Sequence, residues 1–227
     1  VSVKPSISSF IVDTGDSSSD SLTNVNEVTL TVMAEKSATL KVFIDGTEVS
    51  VISQAVTGNV GTSVTEQSKS YENAVEEYTV KVATDFAAQN DAKSFTVKAV
   101  DIVGNESLAS DEKVITFDQT PPVITVSSAG SSNEITDLDK TISGTTEANR
   151  PVELFTQDGT QLTSTVSDSS GNWSVTLTND VQNSDIFKLG NGTGIDVTIE
   201  TTDVAGNKTV ITHTVDVFAT TFVQPDG

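Results

Sequence analysis

The residues that could do chemistry here are carboxylates, and their spacing is regular. Asp101-x-x-Gly104-Asn105 returns as Asp203-x-x-Gly206-Asn207. Glu35 follows Met33-Ala34, and Glu147 follows Thr145-Thr146 at a comparable distance upstream. Asp118 precedes Pro121-Pro122, Asp13, Asp16 and Asp20 crowd one Ser/Asp-rich stretch, and Asp216 lies near the C-terminus. Acidic residues number 32 against 12 basic ones, a formal net charge of −20, and cysteine is absent. Without thiols there is neither a disulfide framework nor thiol chemistry. A bound cation is then the first candidate for stapling the chain. Calcium suits such a donor set, because it takes six to eight hard oxygens, several of them carboxylates.

The same arithmetic excludes other chemistries. A phosphate backbone needs a basic stripe, and the chain has none, so no nucleic-acid partner is expected. Docking on anionic membranes is disfavoured for the same reason, and no run approaches the ~20 apolar residues that span a bilayer. Val1-Ser2-Val3-Lys4-Pro5 does not open a signal peptide, and the chain reads as a segment of something larger. No G-x-S-x-G or other nucleophile motif occurs. The single histidine, His213, shares a strand face with Ile211 and Val215 and reads as a partly buried strand residue; one histidine makes no zinc site alone. Gly190-Asn191-Gly192-Thr193-Gly194 lacks the following lysine of a phosphate loop and reads as a turn. Trp173, the only tryptophan, reads as a core anchor. No enzyme activity is expected.

The elements that must position these carboxylates are strands. Val28, Leu30 and Val32 alternate with Thr29 and Thr31; Leu40, Val42 and Ile44 with Thr39, Lys41 and Phe43; Phe95, Val97 and Ala99 with Thr96 and Lys98. Val175 and Leu177, then Val197 and Ile199, continue the pattern. A period of two marks strands with one face buried and one wet. Asp45-Gly46 and Asp158-Gly159 each separate two such runs, a strong hairpin signal. Many short strands punctuated by turns predict an all-β sandwich. One stretch is ambiguous: Val64–Val75 reads either as a short helix or as a long surface insertion.

The chain repeats itself. Asp203 follows Asp101 by 102 positions, Asp158 follows Asp45 by 113, and Glu147 follows Glu35 by 112. The offsets agree if the first copy carries about ten extra residues within 58–77. Two domains follow, 1–118 and 119–227, tandem sandwiches joined by Phe117-Asp118-Gln119-Thr120-Pro121-Pro122. The two prolines cannot donate to a ladder and hold the linker extended.

Five motifs then fall in order in the second copy: Asp118-x-Thr120-Pro121-Pro122, Ile142-Ser143-Gly144-Thr145-Thr146-Glu147-Ala148-Asn149, Asp158-Gly159, Asp168-x-x-Gly171-Asn172-Trp173-Ser174 and Asp203-x-Ala205-Gly206-Asn207. This series resembles the bacterial Ig-like repeat of giant surface adhesins and biofilm-associated proteins, many of them RTX adhesins secreted by type I systems. The first copy keeps Asp13-Thr14-Gly15, Glu35, Asp45-Gly46 and Asp101-x-x-Gly104-Asn105 but lacks the Gly-Asn-Trp turn. The resemblance implies two Ig-like antiparallel β-sandwiches end to end, on the bacterial cell surface, stiffened by calcium and acting as an extender. The implied partners are neighbouring repeats of the same chain.

In an Ig-type sandwich the B–C and F–G loops share the end where the chain enters. Glu147 and Asp203 of the second copy should therefore face Asp118 in the linker, and the three carboxylates form the expected calcium site. Asp13, Asp16 and Asp20 lie at the exit end of the first copy and could add ligands. Glu35 and Asp101 repeat the pair at its other end, and Asp216 is expected in the place of Asp118. The competing reading of Asp101 and Asp203 is an Asx turn, in which the side chain bonds backbone two residues on. A second function class is a binding module that recognises a glycan or protein through the 58–77 insertion; a third is an accessory domain of a polysaccharide-degrading enzyme, poorly served by 5% aromatics. With a charge of −20 the fragment is expected to be monomeric.

Overall fold

In the computed structural model the described residues are 3–10, 14–17, 19–25, 27–60, 64–66, 69–71, 75–83, 91–130, 132–179 and 184–219. The chain divides into two compact units, Val1–Thr120 and Pro121–Gly227. Each is an Ig-like β-sandwich.

In the first unit the alternating runs become β1 (Ser6–Phe10), β2 (Leu22–Thr23), β3 (Glu27–Glu35), β4 (Thr39–Ile44), β5 (Thr47–Val49), β6 (Val51–Val60), β7 (Val64–Glu66), β8 (Lys69–Tyr71), β9 (Val75–Ala83), β10 (Asp91–Val100) and β11 (Lys113–Phe117). One sheet has the order β1-β3-β9-β6, the other β2-β11-β10-β4-β5. The alternation works as expected: Val28, Leu30, Val32 and Ala34 are buried, and the residues between them are not. They meet Leu40, Val42, Phe95, Val97, Ile115 and Phe117 of the facing sheet in one core. Phe95 lies at its centre, edge-on to Phe10 at 5.7 Å between ring centroids.

The described residues of the ambiguous stretch are strand, not helix. β7 and β8 pair antiparallel as a small hairpin between β6 and β9. The extra residues of the first copy thus feed a long two-stranded excursion, with β6 laid against β9 as an additional edge strand.

The second unit contains β12 (Thr125–Ala129), β13 (Glu134–Thr136), β14 (Thr141–Thr145), β15 (Pro151–Thr156), β16 (Gln161–Val166), β17 (Asn172–Thr176), α1 (Asp185–Leu189), β18 (Gly192–Thr202) and β19 (Lys208–Phe218). Its sheets are β12-β14-β17 and β13-β19-β18-β15-β16. Among the described residues there is no counterpart of β6, and β17 lies at the edge of its sheet. Trp173 is an anchor of the core, 3% exposed, beside Ile142, Leu154, Leu177 and Ile199. Gly144 makes room for it: a Cβ there would stand 2.8 Å from Trp173 Cζ2 and 1.8 Å from the carbonyl oxygen of Thr125. The short helix α1 is capped by Ser184, whose side chain accepts from the Phe187 N–H.

Candidate metal-binding loops

The Asp-x-x-Gly-Asn segments fold alike wherever they occur. In the loop after β10, the Asp101 N–H donates to Asn105 O, and the Gly104 N–H donates back to Asp101 O. Asp101 Oδ1 accepts from the N–H groups of Val103 (3.0 Å) and Asn105 (2.9 Å), while Oδ2 accepts from Asn105 Nδ2 (2.8 Å). In the loop after β18, Asp203 Oδ1 accepts from the Asn207 N–H and Oδ2 from Asn207 Nδ2, each at 2.8 Å. The tight return needs a residue in the left-handed region, and Gly104 (φ +90°) and Gly206 (φ +93°) supply it.

A third loop of this kind, Asp168-x-x-Gly171-Asn172, turns β16 into β17. Asp168 Oδ1 accepts from the N–H groups of Ser170 (2.8 Å) and Asn172 (2.9 Å). The sequence signal for this loop was present, since the same five-residue pattern occurs there, yet Asp168 is not among the expected ligands. Donors to the charged form hold carboxylates below their ordinary range. Asp101 is lowered by the Asn105 side-chain amide first and its backbone N–H second. Asp168 is lowered by the Asn172 backbone N–H first and its side chain second. The bond to the backbone two residues on, which defines the Asx turn, is thus present in the Asp101 and Asp168 loops, and the Asp203 loop shares their contacts to the Asn four residues on. These bonds also fix each carboxylate in one orientation, as the hydrogen bonds around a metal ligand do.

Within the second unit, Glu147 and Asp203 do lie at the end where the chain enters. Thr209 Oγ1, just past the Asp203 loop, donates to Pro122 O at 2.5 Å. The loop after β14 is tied down by Ser167, whose hydroxyl donates to Glu147 O at 2.5 Å, and by the Thr146 N–H, which donates to Gly171 O. Asp203 is buried, 1% exposed, whereas Glu147 is not.

Within the first unit, Asp118 directly follows β11. Its N–H donates to Thr23 O, and its Oδ1 accepts from the Thr120 N–H at 3.1 Å. The Thr23 contact brings Asp118 to the end that also carries the loop closed by Thr14 N–H to Leu22 O. Asp16 and Asp20 are in this loop, and Asp20 Oδ1 accepts from the Leu22 N–H at 3.0 Å. Asp13 lies outside the described residues. Glu35, at the end of β3, accepts from the Val3 N–H at 3.3 Å through Oε2. Its carbonyl accepts from the buried Tyr78 hydroxyl, which also reaches Glu76 Oε2 at 3.0 Å and accepts from the Ala38 N–H at 3.2 Å.

Asp216 does not occupy the place expected for it. It sits inside β19, opposite Glu134 of the parallel strand β13, and its Oδ1 accepts from the Gly194 N–H at 2.8 Å. The equivalent pair in the first unit is Leu22 with Thr116. By this register the counterpart of Asp118 is Phe218. Taken separately, neither unit gathers three or more Asp, Glu or His side chains into a cluster among the described residues.

Residues 128–216 match the family described as bacterial Ig domain. This stretch holds most of the second unit, including the Asp168 and Asp203 loops. No curated protein matches the sequence. Among solved structures, a three-Ig fragment of titin in an E-to-A mutated variant is 13% identical with a TM-score of 0.43; the match covers 87% of this chain and 62% of that one. The BSP domain of a biofilm-associated protein is 12% identical with a TM-score of 0.29, covering 90% of this chain and 29% of that one. The C-terminal domain of the Streptococcus agalactiae AgI/II polypeptide BspA is 12% identical with a TM-score of 0.36, covering 86% and 93%. The chain thus spans less than two thirds of the titin and biofilm-protein chains.

Proposed function

We propose that this chain is a non-enzymatic extender of a bacterial surface adhesin, extracellular, with calcium bound at the joint between its two units. The observation that carries the reading is the bacterial Ig match over 128–216, together with the loops of Glu147 and Asp203 at the end of the second unit where Pro122 enters. Asp118, three residues before Pro121, is then the natural third carboxylate. In this reading backbone carbonyls complete the shell, and the Asn207 donors hold Asp203 ready. Three such carboxylates repel one another without a cation. Their neutralisation is the source of the stiffening.

The magnitudes suit an extracellular switch. Modules of this kind bind calcium at roughly 10⁻⁴ to 10⁻³ M. Ligand at about 100 times its Kd adds ~2.7 kcal/mol to the state that binds it. That is a large increment for a domain whose total stability is roughly 5–15 kcal/mol. The module is flexible in the low calcium of the cytosol and stiffens outside, where it projects the adhesive part of its parent from the cell surface and supports biofilm formation.

The test is a calcium titration of the 227-residue chain, following melting temperature and X-ray scattering together, with magnesium as control. Millimolar calcium should raise the melting point and lengthen the particle, and Asp118→Ala should abolish the lengthening. If neither quantity moves, calcium stiffening is wrong. A saturable glycan or peptide interaction that maps to 58–77 would instead favour the binding module.

A further inference from the structure

In each unit a buried hydroxyl closes the turn that begins at the acidic residue, and the two units supply that hydroxyl differently. The turns themselves are alike. Glu35 and Glu147 stand 112 positions apart, as do Ser37 and Asn149. Ser37 and Asn149 both take left-handed backbone, with φ +63° and +58°. In the first unit the Tyr78 hydroxyl donates to Glu35 O at 3.1 Å and accepts from the Ala38 N–H at 3.2 Å. Its one proton is shared with Glu76 Oε2, 3.0 Å away. In the second unit the Ser167 hydroxyl donates to Glu147 O at 2.5 Å and accepts from the Arg150 N–H at 2.9 Å. One oxygen thus joins the first and fourth residues of each turn. Tyr78 and Ser167 are each 2% exposed.

The oxygen comes from different places in the two ladders. Tyr78 lies opposite Val32 in the β3–β9 pairing. The matching position of the β14–β17 pairing, opposite Gly144, holds Trp173. An indole N–H donates but cannot accept, so it could not join an N–H to a carbonyl. Ser167, directly after β16, makes both bonds instead. Its own N–H also donates to Arg150 O at 3.0 Å, so one residue holds both backbone groups of Arg150.

This closure decides what the second turn can offer. The Glu147 carbonyl is engaged by a buried hydroxyl, whereas Glu147 itself is exposed. The group the turn presents is therefore the carboxylate. Backbone that is already in place loses no freedom when its side chain takes a ligand, and this raises affinity.

We propose that Ser167 is a positioning residue for cation binding, its hydroxyl fixing the turn so that the Glu147 carboxylate stands ready for a hard divalent ion. The proposal rests on the calcium reading given above. Ser167 acts through Glu147 and ligates nothing itself. Its effect belongs to affinity, over and above the stability its three bonds bring to the second unit.

The test is a calcium titration of the 227-residue chain followed by X-ray scattering, with Trp173 emission in urea and chelator giving the stability of each chain. Four chains are compared: wild type, Ser167→Ala, Ser167→Cys and Val215→Ala. Cysteine keeps nearly the volume of serine, but its thiol is a weak donor and a weak acceptor, so this variant decides if Ser167→Ala fails to fold. Val215, buried in β19, lies outside the turn and the strands that hold it, and its truncation controls for lost stability. The calcium concentration at half-maximal lengthening should rise about tenfold or more in the Ser167 variants, the usual cost of losing a group that orients a metal ligand. Val215→Ala should leave that concentration close to the wild-type value. A wild type that does not lengthen overturns the calcium reading and this proposal together. A wild type that lengthens, with Ser167 variants that shift no further than Val215→Ala, overturns the role of Ser167 alone.

Discussion

Gly144→Ala puts a number on the packing of the second unit. Gly144 lies in β14 between Val126 of β12 and Trp173 of β17. The added methyl would stand 1.8 Å from Thr125 O and 2.8 Å from Trp173 Cζ2, where real Cβ atoms keep at least 3.0 Å. The indole cannot retreat without leaving the core, so the β12 backbone must give way. Overpacking of this kind costs about 1–3 kcal/mol, and each ladder bond strained or lost with β12 adds roughly 0.5–1.5 kcal/mol. Against this, alanine stiffens the unfolded chain, a gain of about 0.4–1 kcal/mol. With one ladder bond affected, the balance is a loss of about 2 kcal/mol. At about 4 °C per kcal/mol, this corresponds to a fall of roughly 8 °C in the melting temperature of that unit. Urea titration followed by Trp173 emission measures it cleanly, because the only tryptophan reports on the second unit alone. The first unit, which holds both tyrosines, should keep its own transition when followed by tyrosine absorbance. A Trp173 transition within about 0.5 kcal/mol of wild type, the range of an ordinary surface change, would refute this account of Gly144.

Further predictions concern the first unit and the Asx loops. Tyr78→Phe removes a buried hydroxyl that serves Glu35 O, Glu76 and the Ala38 N–H; the unsatisfied groups left behind should cost about 1–3 kcal/mol, measured as a lowered denaturation midpoint of the first unit. Burial raises the pKa of this tyrosine, so its ultraviolet titration should lie above that of a free phenol. Asp168 is lowered in the folded state, so the stability it brings is complete above its unfolded value of about 3.9 and is lost as pH falls through the folded value. Asp168→Asn should therefore reduce the acid dependence of the second unit below about pH 4, read as a flatter plot of melting temperature against pH. The calcium-dependent lengthening proposed above should be weakened by Asp203→Ala and left intact by Asp216→Ala, a change within β19, when each chain is titrated with calcium and followed by X-ray scattering.

Much of this architecture was legible in alternation alone. Val28 to Ala34 and Phe95 to Ala99 place every second side chain in the core, because a strand with one wet face leaves no other arrangement. The Asp-Gly hairpins fall between β4 and β5 and between β15 and β16. The helix α1 escaped notice because five residues are too few to display a period; its one signal was Ser184 at the cap followed by Asp185. The stretch 64–75 misled for the opposite reason, since its polar residues suit either a helix or a solvated hairpin, and the pairing that decides is not local. Glu147 and Asp203 could be assigned to one end because a strand reverses direction at each turn. Asp216 could not, because its position follows from the parallel register of β13 on β19, a contact between residues far apart in sequence.

That parallel pairing bears on how such a unit carries load. β2 runs beside β11 in one unit and β13 beside β19 in the other, each joining a strand near the start of the unit to the strand that leaves it. A pull on the two ends of the chain drives these neighbours past each other lengthwise. Their hydrogen bonds lie across the direction of slip and are strained together, whereas strands pulled from the same end would peel apart one bond at a time. Resistance to tension therefore resides in short ladders such as Glu134–Thr136 against Asp216–Phe218, and a proline at Ile135 or Val217 should weaken a unit under force more than its equilibrium stability alone would indicate.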